Sequence, residues 1–188
     1  MRAYVKEFRK SCEIVGFRDV EVNDTEEFLE AASKDKPADV GLQFFDADLV
    51  ATWQHLYFAL LNALTAFKNG ENLSKSVAME AMLYASGRRQ IEKATRLLGI
   101  KPASRNIALL IVGGKADVVQ EVLAKVSRRI GGQRDDSVLE LSRKKIERIK
   151  RAFDISDAEL ETVMDERGLE KALVDLVVER VALLATRH

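Results

Sequence analysis

One long segment with apolar residues at helical spacing constrains the fold of this chain more than any other feature. Its apolar side chains recur every three or four residues, the spacing that places them on one face of an α-helix. They are Leu49, Trp53, Leu56, Tyr57, Leu60, Leu64 and Phe67. The spacing predicts a core helix over 48–68, whose apolar face the rest of the chain must cover.

The remaining elements follow from the same periodicity. Further helices are predicted over 25–34, 76–98, 116–130, 142–153, 157–164 and 169–187, with Asp24 expected to cap the first of them. Strands are predicted over 14–22, 40–45, 106–112 and 138–141. Together they predict an α+β fold: a single domain over 1–188, with a small mixed sheet of about four or five strands covered by many helices.

Composition excludes several classes of protein. Of the 188 residues, 47% are hydrophobic and 32% are charged, as in an ordinary globular protein. Cys12 is the single cysteine, which rules out an internal disulfide and a multi-cysteine zinc site. The N-terminal residues lack the apolar run of a secretory signal, and no apolar run approaches the ~20 residues of a membrane span. We therefore expect a cytoplasmic protein with no membrane partner.

The charges are segregated along the chain, although the formal net charge is zero. Residues 21–48 hold nine acidic and two basic residues, whereas residues 68–105 hold three acidic and eight basic ones. A dipolar surface is therefore expected, although the zero net charge gives no overall field that would attract a polyanion.

The string Ser86-Gly87-Arg88-Arg89-Gln90-Ile91 interrupts a helical pattern within the basic segment 68–105. Glycine inside a helix costs roughly 1 kcal/mol relative to alanine, so the string needs a reason. A solvated helix face is one interpretation. The other is a nucleic-acid contact, in which the arginines neutralise phosphates while Gln90 reads a base edge and Ile91 packs on a base.

Other cations are expected beside this string. Arg89, Lys93 and Arg96 have the spacing i, i+4, i+7, which predicts one basic helix face. Lys68 and Lys75 lie on the connection that leads into the same helical region.

The last predicted helix is apolar over most of its circumference. One stripe is formed by leucines, and a second stripe on nearly the opposite side is formed by Val174, Val178, Val181 and Ala185. Deep packing inside the domain explains such a helix, and so does a partner protein that covers the valine stripe. We favour the partner, which makes 168–188 a C-terminal partner-binding helix.

Motifs for catalysis are weak. Asp46 and Asp48, with Asp135-Asp136 downstream, fit the acidic strings of haloacid-dehalogenase-like phosphatases, which use magnesium. However, the core helix begins almost at once after Asp48, and an aspartate there also serves as a helix cap. His55 has no nucleophile or acid at catalytic spacing, so we expect it at the surface or facing a partner. No catalytic residue, metal ligand or cofactor is assigned.

Several strings resemble a known family when taken in order. They are 43–51 (QFFDADLVA), His55, Met79-Glu80, 86–91 (SGRRQI) and 135–140 (DDSVLE). This combination is similar to the PRPK-binding-protein (TPRKB-like) subunit of the KEOPS complex, and the absence of long insertions indicates the archaeal type.

The resemblance implies a subunit that is not an enzyme. Members bind the PRPK-like atypical kinase of KEOPS and, through it, join the threonylcarbamoyl-transferase subunit that makes threonylcarbamoyladenosine in tRNA. They also bind the single-stranded 3′ CCA end of tRNA. The resemblance makes 86–91 the RNA-contacting element. With the neighbouring lysines, the predicted tRNA-binding set is Lys68, Lys75, Arg88, Arg89, Gln90, Ile91 and Lys93.

Overall fold

A five-stranded sheet lies at the centre of the computed structural model, which describes residues 1–184. The strand order is β1-β2-β4-β3, and β5 pairs with the end of β2. The strands are β1 (Arg2–Val5), β2 (Lys10–Arg18), β3 (Gly41–Asp46), β4 (Ile107–Gly113) and β5 (Gln133–Arg134). The α+β class and the number of strands are as predicted.

The strand pairings within the described residues are antiparallel, so the prediction of a mixed sheet is wrong. Strands that are apolar at every position, such as β4, are typical of parallel sheets covered on both faces. Here helices cover both faces of an antiparallel sheet, so burial on two sides says nothing about strand direction.

Eight α-helices are found within residues 1–184 and cover both faces of the sheet. α1 and α5 contribute to the core on one face, whereas α2, α3, α4, α6, α7 and α8 contribute to the core on the other, where α8 packs against α2, α3 and α6. The helices are α1 (Thr25–Ser33), α2 (Trp53–Asn69), α3 (Val77–Ser86), α4 (Ile91–Leu98), α5 (Ala116–Arg129), α6 (Arg143–Phe153), α7 (Asp157–Val163) and α8 (Gly168–Leu183).

Strand β4 shows how the two layers are held together. Its side chains alternate, because successive residues of a strand point to opposite faces. Ile107, Leu109 and Ile111 belong to the core under α1 and α5. Ala108, Leu110 and Val112 belong to the larger core under α2 and α3.

Asp24 and Asp46 each cap a helix. The Asp24 carboxylate accepts a hydrogen bond from the Glu27 N–H at 2.9 Å at the start of α1, as predicted. The Asp46 carboxylate accepts from the Asp48 N–H at 3.1 Å and starts a 3-10 turn over Ala47–Leu49. α2 therefore begins at Trp53, five residues later than predicted.

The predicted strand over 138–141 is wrong, and the two strands at the start of the chain differ from the prediction. Asp136–Leu139 is a 3-10 helix, started by the Asp135 carboxylate, which accepts from the Ser137 N–H at 3.0 Å. This turn lies against β2, where a Cβ on Gly16 would lie 2.5 Å from the Asp135 carbonyl oxygen. β1 was not predicted, and β2 begins four residues before the predicted strand and ends four residues before its end.

Candidate functional site

The string 86–91 forms a turn between two helices rather than a kink inside one. Gly87 has a φ of 63°, the left-handed conformation that ends a helix. Its N–H donates to the Tyr84 carbonyl at 3.0 Å, and the Arg88 N–H donates to the Leu83 carbonyl at 3.1 Å. This pair of bonds is a Schellman motif, which explains the glycine. The predicted helical region 76–98 is therefore two helices, and Arg89 precedes α4 instead of sharing its face with Lys93.

His55 holds this turn in place from inside the protein. It is fully buried, so the expectation that it lies at the surface or faces a partner is wrong. Its Nδ1 accepts from the Ala51 N–H at 3.3 Å, which leaves Nε2 as the donor to the Ala85 carbonyl at 2.8 Å. Desolvation lowers the pKa of His55 to about 4, so the ring is neutral at pH 7. The start of α2 is thereby tied to the residue before the turn.

The side chains of the last four residues of the turn point to solvent, whereas Ser86 is buried. Arg88, Arg89 and Gln90 are exposed, Ile91 is 46% exposed, and Lys93 is exposed two residues into α4. Gln90 is the residue that precedes α4, but its side chain makes no capping bond. Cations, an amide and an aliphatic side chain are therefore presented together on a fixed backbone.

A pocket of about 310 Å³ adjoins the turn. It is lined by Ser86, Gly87 and Arg88 on one side and by Ala152, Phe153, Asp154 and Arg180 on the other. The Arg180 side chain donates to Glu159 at 2.6 Å, so part of its charge is neutralised. Tyr84, the aromatic residue nearest the turn in sequence, is buried and is not available to stack on a base.

Lys68 and Lys75 do not join this cluster. α2 and α3 form an antiparallel hairpin, because the His55–Ala85 bond joins the start of one helix to the end of the other. Both lysines lie at the opposite end, about 15 Å away along the ten residues of α3. Lys68 pairs there with Glu7 at 2.7 Å. The predicted tRNA-binding set is thus split, with Arg88, Arg89, Gln90, Ile91 and Lys93 kept together.

The acidic strings are used for internal bonds. Asp46 accepts from the Ser104 hydroxyl at 3.0 Å, and Asp48 accepts from the Asn106 side chain at 3.0 Å and pairs with Arg148. Burial raises the pKa of Asp46. Asp136 accepts from the Gly16 N–H at 2.9 Å. Residues 1–184 contain no cluster of three or more His, Cys, Asp or Glu side chains placed to hold a metal ion.

The valine stripe of α8 is largely internal. Val174 is buried and Val181 has no exposed surface, and both belong to the core under α2 and α3. Of the two alternatives, packing inside the domain accounts for these two residues, so the expectation that a partner covers them is wrong. Val178 is partly exposed on the outer side of the helix, and Ala185 lies outside the described residues.

An exposed apolar surface lies instead on α2. Trp53 and Phe58 are 39% and 41% exposed, and Tyr57 and Leu61 on the same helix are partly buried. The Tyr57 ring centroid lies 6.3 Å from those of Trp53 and Phe58. Sequence reasoning missed this surface because it placed Trp53 and Tyr57 on the core face. Phe58, which lies off the predicted apolar stripe, was the signal that α2 has a second apolar side.

Among the described helices, none is long and apolar enough to cross a membrane.

Comparison with known proteins places the sequence of this chain in a family. The family profile described as kinase binding protein CGI-121 matches residues 17–185. The chain is also 33% identical over 147 residues to the regulatory protein Cgi121 of Methanocaldococcus jannaschii, a match that covers 77% of this chain and 85% of that protein. The family predicted from the ordered strings is confirmed: the chain belongs to the CGI-121 family of kinase-binding proteins.

Proposed function

We propose that this protein is a non-catalytic KEOPS subunit that binds and regulates a PRPK-like atypical kinase and binds the 3′ CCA end of tRNA. Through the kinase it joins the threonylcarbamoyl-transferase subunit and supports threonylcarbamoyladenosine modification of tRNA. The observation that carries the tRNA part is the turn 86–91, which presents two arginines, an amide and an isoleucine to solvent from a backbone fixed by Gly87 and His55.

The chemistry of the turn suits a single strand with splayed bases. Arg88 and Arg89 neutralise phosphates, whereas Gln90 hydrogen-bonds to a base edge and Ile91 packs against a base face. Tyr84 is buried, so base stacking on an aromatic ring contributes little beside the turn. Phosphate contacts then carry most of the affinity, and binding depends strongly on salt.

The kinase part rests on family membership and on the outer side of α2. Trp53 and Phe58 lie on this side with about two fifths of their surface exposed, at 39% and 41%. Partly exposed aromatic residues grouped in one patch are typical of the centre of a protein–protein interface. The kinase is the occupant proposed for this patch, together with the outer side of α8 at Val178.

The tRNA part is tested by a gel shift with deacylated tRNA, with and without its three 3′-terminal nucleotides. We expect binding to the intact tRNA and a loss of at least tenfold in affinity when CCA is removed. Equal affinity for the two RNAs would contradict recognition of the 3′ end.

The kinase part is tested by co-purification of the kinase with Phe58→Glu. A carboxylate buried in the interface without a partner costs several kcal/mol, so the complex should be lost. Leu29→Glu is the matched control, because Leu29 is 36% exposed on α1, on the other face of the sheet. If both variants retain the kinase, α2 is not its docking surface.

The non-catalytic role is tested with Asp46→Asn. The internal bonds of Asp46 and Asp48 give no specific support to the phosphatase alternative. Magnesium-dependent phosphate release by the natural protein that disappears in this variant would establish that alternative instead.

A further inference from the structure

Helix α6 carries a basic stripe that is independent of the turn 86–91. Lys144, Arg148 and Arg151 follow one another at i, i+4 and i+7 within an uninterrupted helix, so they share one face. All three are exposed. Arg89, Lys93 and Arg96 have the same spacing, but Arg89 precedes α4 and does not share a helix face with the other two. In α6 all three cations belong to one helix and lie on the same face.

This stripe forms one wall of a cleft of about 590 Å³. The opposite wall is the segment between α4 and β4, which adds Lys101 and Arg105. The acidic groups in the cleft are Asp46 and Asp48, and both already accept internal hydrogen bonds.

Some of the cations in the cleft are not neutralised. Arg148 pairs with Asp48, and Arg105 lies 3.4 Å from Glu21. Within residues 1–184, the side chains of Lys144 and Arg151 make no ion pair or hydrogen bond. Two unpaired cations next to a paired arginine leave a site with an excess of positive charge, which complements a polyanion.

The stripe ends next to the pocket that adjoins the turn. Arg151 directly precedes Ala152, Phe153 and Asp154, which line the pocket beside Arg88. From there the stripe runs back along α6 to Lys144, seven residues earlier, a length of about 10 Å. A nucleic-acid strand in a duplex carries one phosphate per roughly 3.4 Å of axis, so this length accommodates about three phosphates.

We infer that the backbone of the RNA whose 3′ end lies at the turn continues along α6 and into this cleft. Its phosphates contact Lys144 and Arg151, with Lys101 and Arg105 on the other wall. This inference rests on the proposed tRNA binding and adds a second contact, to the part of the RNA that lies before the single-stranded end. The contact reads charge and shape rather than base sequence.

The test compares two RNAs and three double variants at several salt concentrations. The RNAs are intact deacylated tRNA and a short single-stranded oligonucleotide ending in CCA. The variants are Lys144→Glu/Arg151→Glu in α6, Arg88→Glu/Arg89→Glu in the turn, and Lys115→Glu/Arg128→Glu as the control. The control changes the charge equally, at two exposed residues at the beginning and end of α5, on the other face of the sheet.

We expect the α6 variant to lose at least tenfold in affinity for intact tRNA and to retain its affinity for the short oligonucleotide. The slope of log affinity for tRNA against log salt concentration should become shallower, by the amount expected for the loss of about one to two phosphate contacts. The turn variant should lose affinity for both RNAs, and the control should lose neither.

Each other outcome overturns the inference in a distinguishable way. Unchanged tRNA binding by the α6 variant, with the turn variant impaired, would leave the proposed function standing and remove the α6 contact. If the α6 variant, tested also for co-purification of the kinase, loses the kinase and keeps its tRNA binding, the stripe is a protein-docking surface instead. If the natural protein binds neither RNA, both the inference and the proposed tRNA binding are wrong.

Discussion

The turn 86–91 and helix α8 both depart from an ordinary amphipathic pattern, yet they do so for opposite reasons. In the turn, a glycine with a positive φ ends α3, and the charged residues after it project into solvent. In α8 the apolar residues surround most of the helix, and Val174 and Val181 are buried within the chain itself. One departure creates a surface, and the other completes a core.

The comparison shows which kind of inference is safe from sequence. Charged side chains that follow a helix-ending glycine are expected to be exposed to solvent, because burying an unpaired charge is costly. An apolar side chain can be buried either in the core of its own chain or in an interface with a partner. Local patterns therefore located the exposed cations, whereas the position of α8 between other helices had to be observed.

The largest loss of stability is expected from Val181→Asp, which tests whether α8 completes the core. Val181 has no exposed surface, so an unpaired carboxylate there should lower the free energy of unfolding by roughly 4 kcal/mol or more. Val178→Asp, at the partly exposed position one turn earlier, should cost less than half as much. Thermal unfolding of the two variants measures the difference. If the two substitutions lowered the stability by equally small amounts, the whole valine stripe would be a free surface and not part of the core.

A smaller effect is expected from the buried His55, which anchors the turn. The folded-state pKa of about 4 lies below the unfolded value of roughly 6.5, so the unfolded chain binds the proton first as the pH falls. The stability that depends on neutral His55 is complete above about pH 6.5 and is lost towards pH 4, by about 3 kcal/mol.

His55→Gln isolates this contribution, since its amide still donates to the Ala85 carbonyl but does not titrate. Urea unfolding between pH 4 and 7 should show a smaller acid destabilisation in the variant than in the natural protein. Identical pH profiles would mean that the ring is not held neutral in the fold.

The smallest of these effects on stability is expected from Gly87→Ala. Gly87 has a φ of 63°, and an added Cβ would lie 3.5 Å from the Arg180 carbonyl oxygen, an ordinary contact. The cost is therefore that of the left-handed backbone alone, about 1–2 kcal/mol. Gly87→Asn should cost less, because asparagine tolerates this conformation. If alanine is neutral in thermal unfolding, the turn is not held as described.

Much of the fold could be predicted because its signals are local. The Asp24 cap, the α5 helix and the buried β4 strand are all encoded within one element, and the structure has them within two residues of the prediction. β1 was missed because its four residues acquire their strand conformation only by pairing with β2. The segment 138–141 was mistaken for a strand because its apolar residues pack against β2 as a 3-10 helix.

Within the candidate site, the turn 86–91 could be predicted from the sequence, whereas the other residues that surround it could not. Arg88 to Ile91 are neighbours in sequence, so their grouping follows from the chain alone. Lys68 and Lys75 are also close in sequence, but the α2–α3 hairpin carries them to its other end. Arg148 and Arg105 come together only in the folded chain, where α6 lies beside the segment before β4.

The most direct test of the account is the affinity of Arg88→Glu/Arg89→Glu for deacylated tRNA, measured beside its melting temperature. Both side chains are exposed, so the melting temperature should stay within a few degrees of that of the natural protein. The affinity should fall at least tenfold, and the dependence on salt should become shallower as phosphate contacts are lost. An unchanged affinity in the folded variant would contradict the central claim that the turn 86–91 is the tRNA-binding surface.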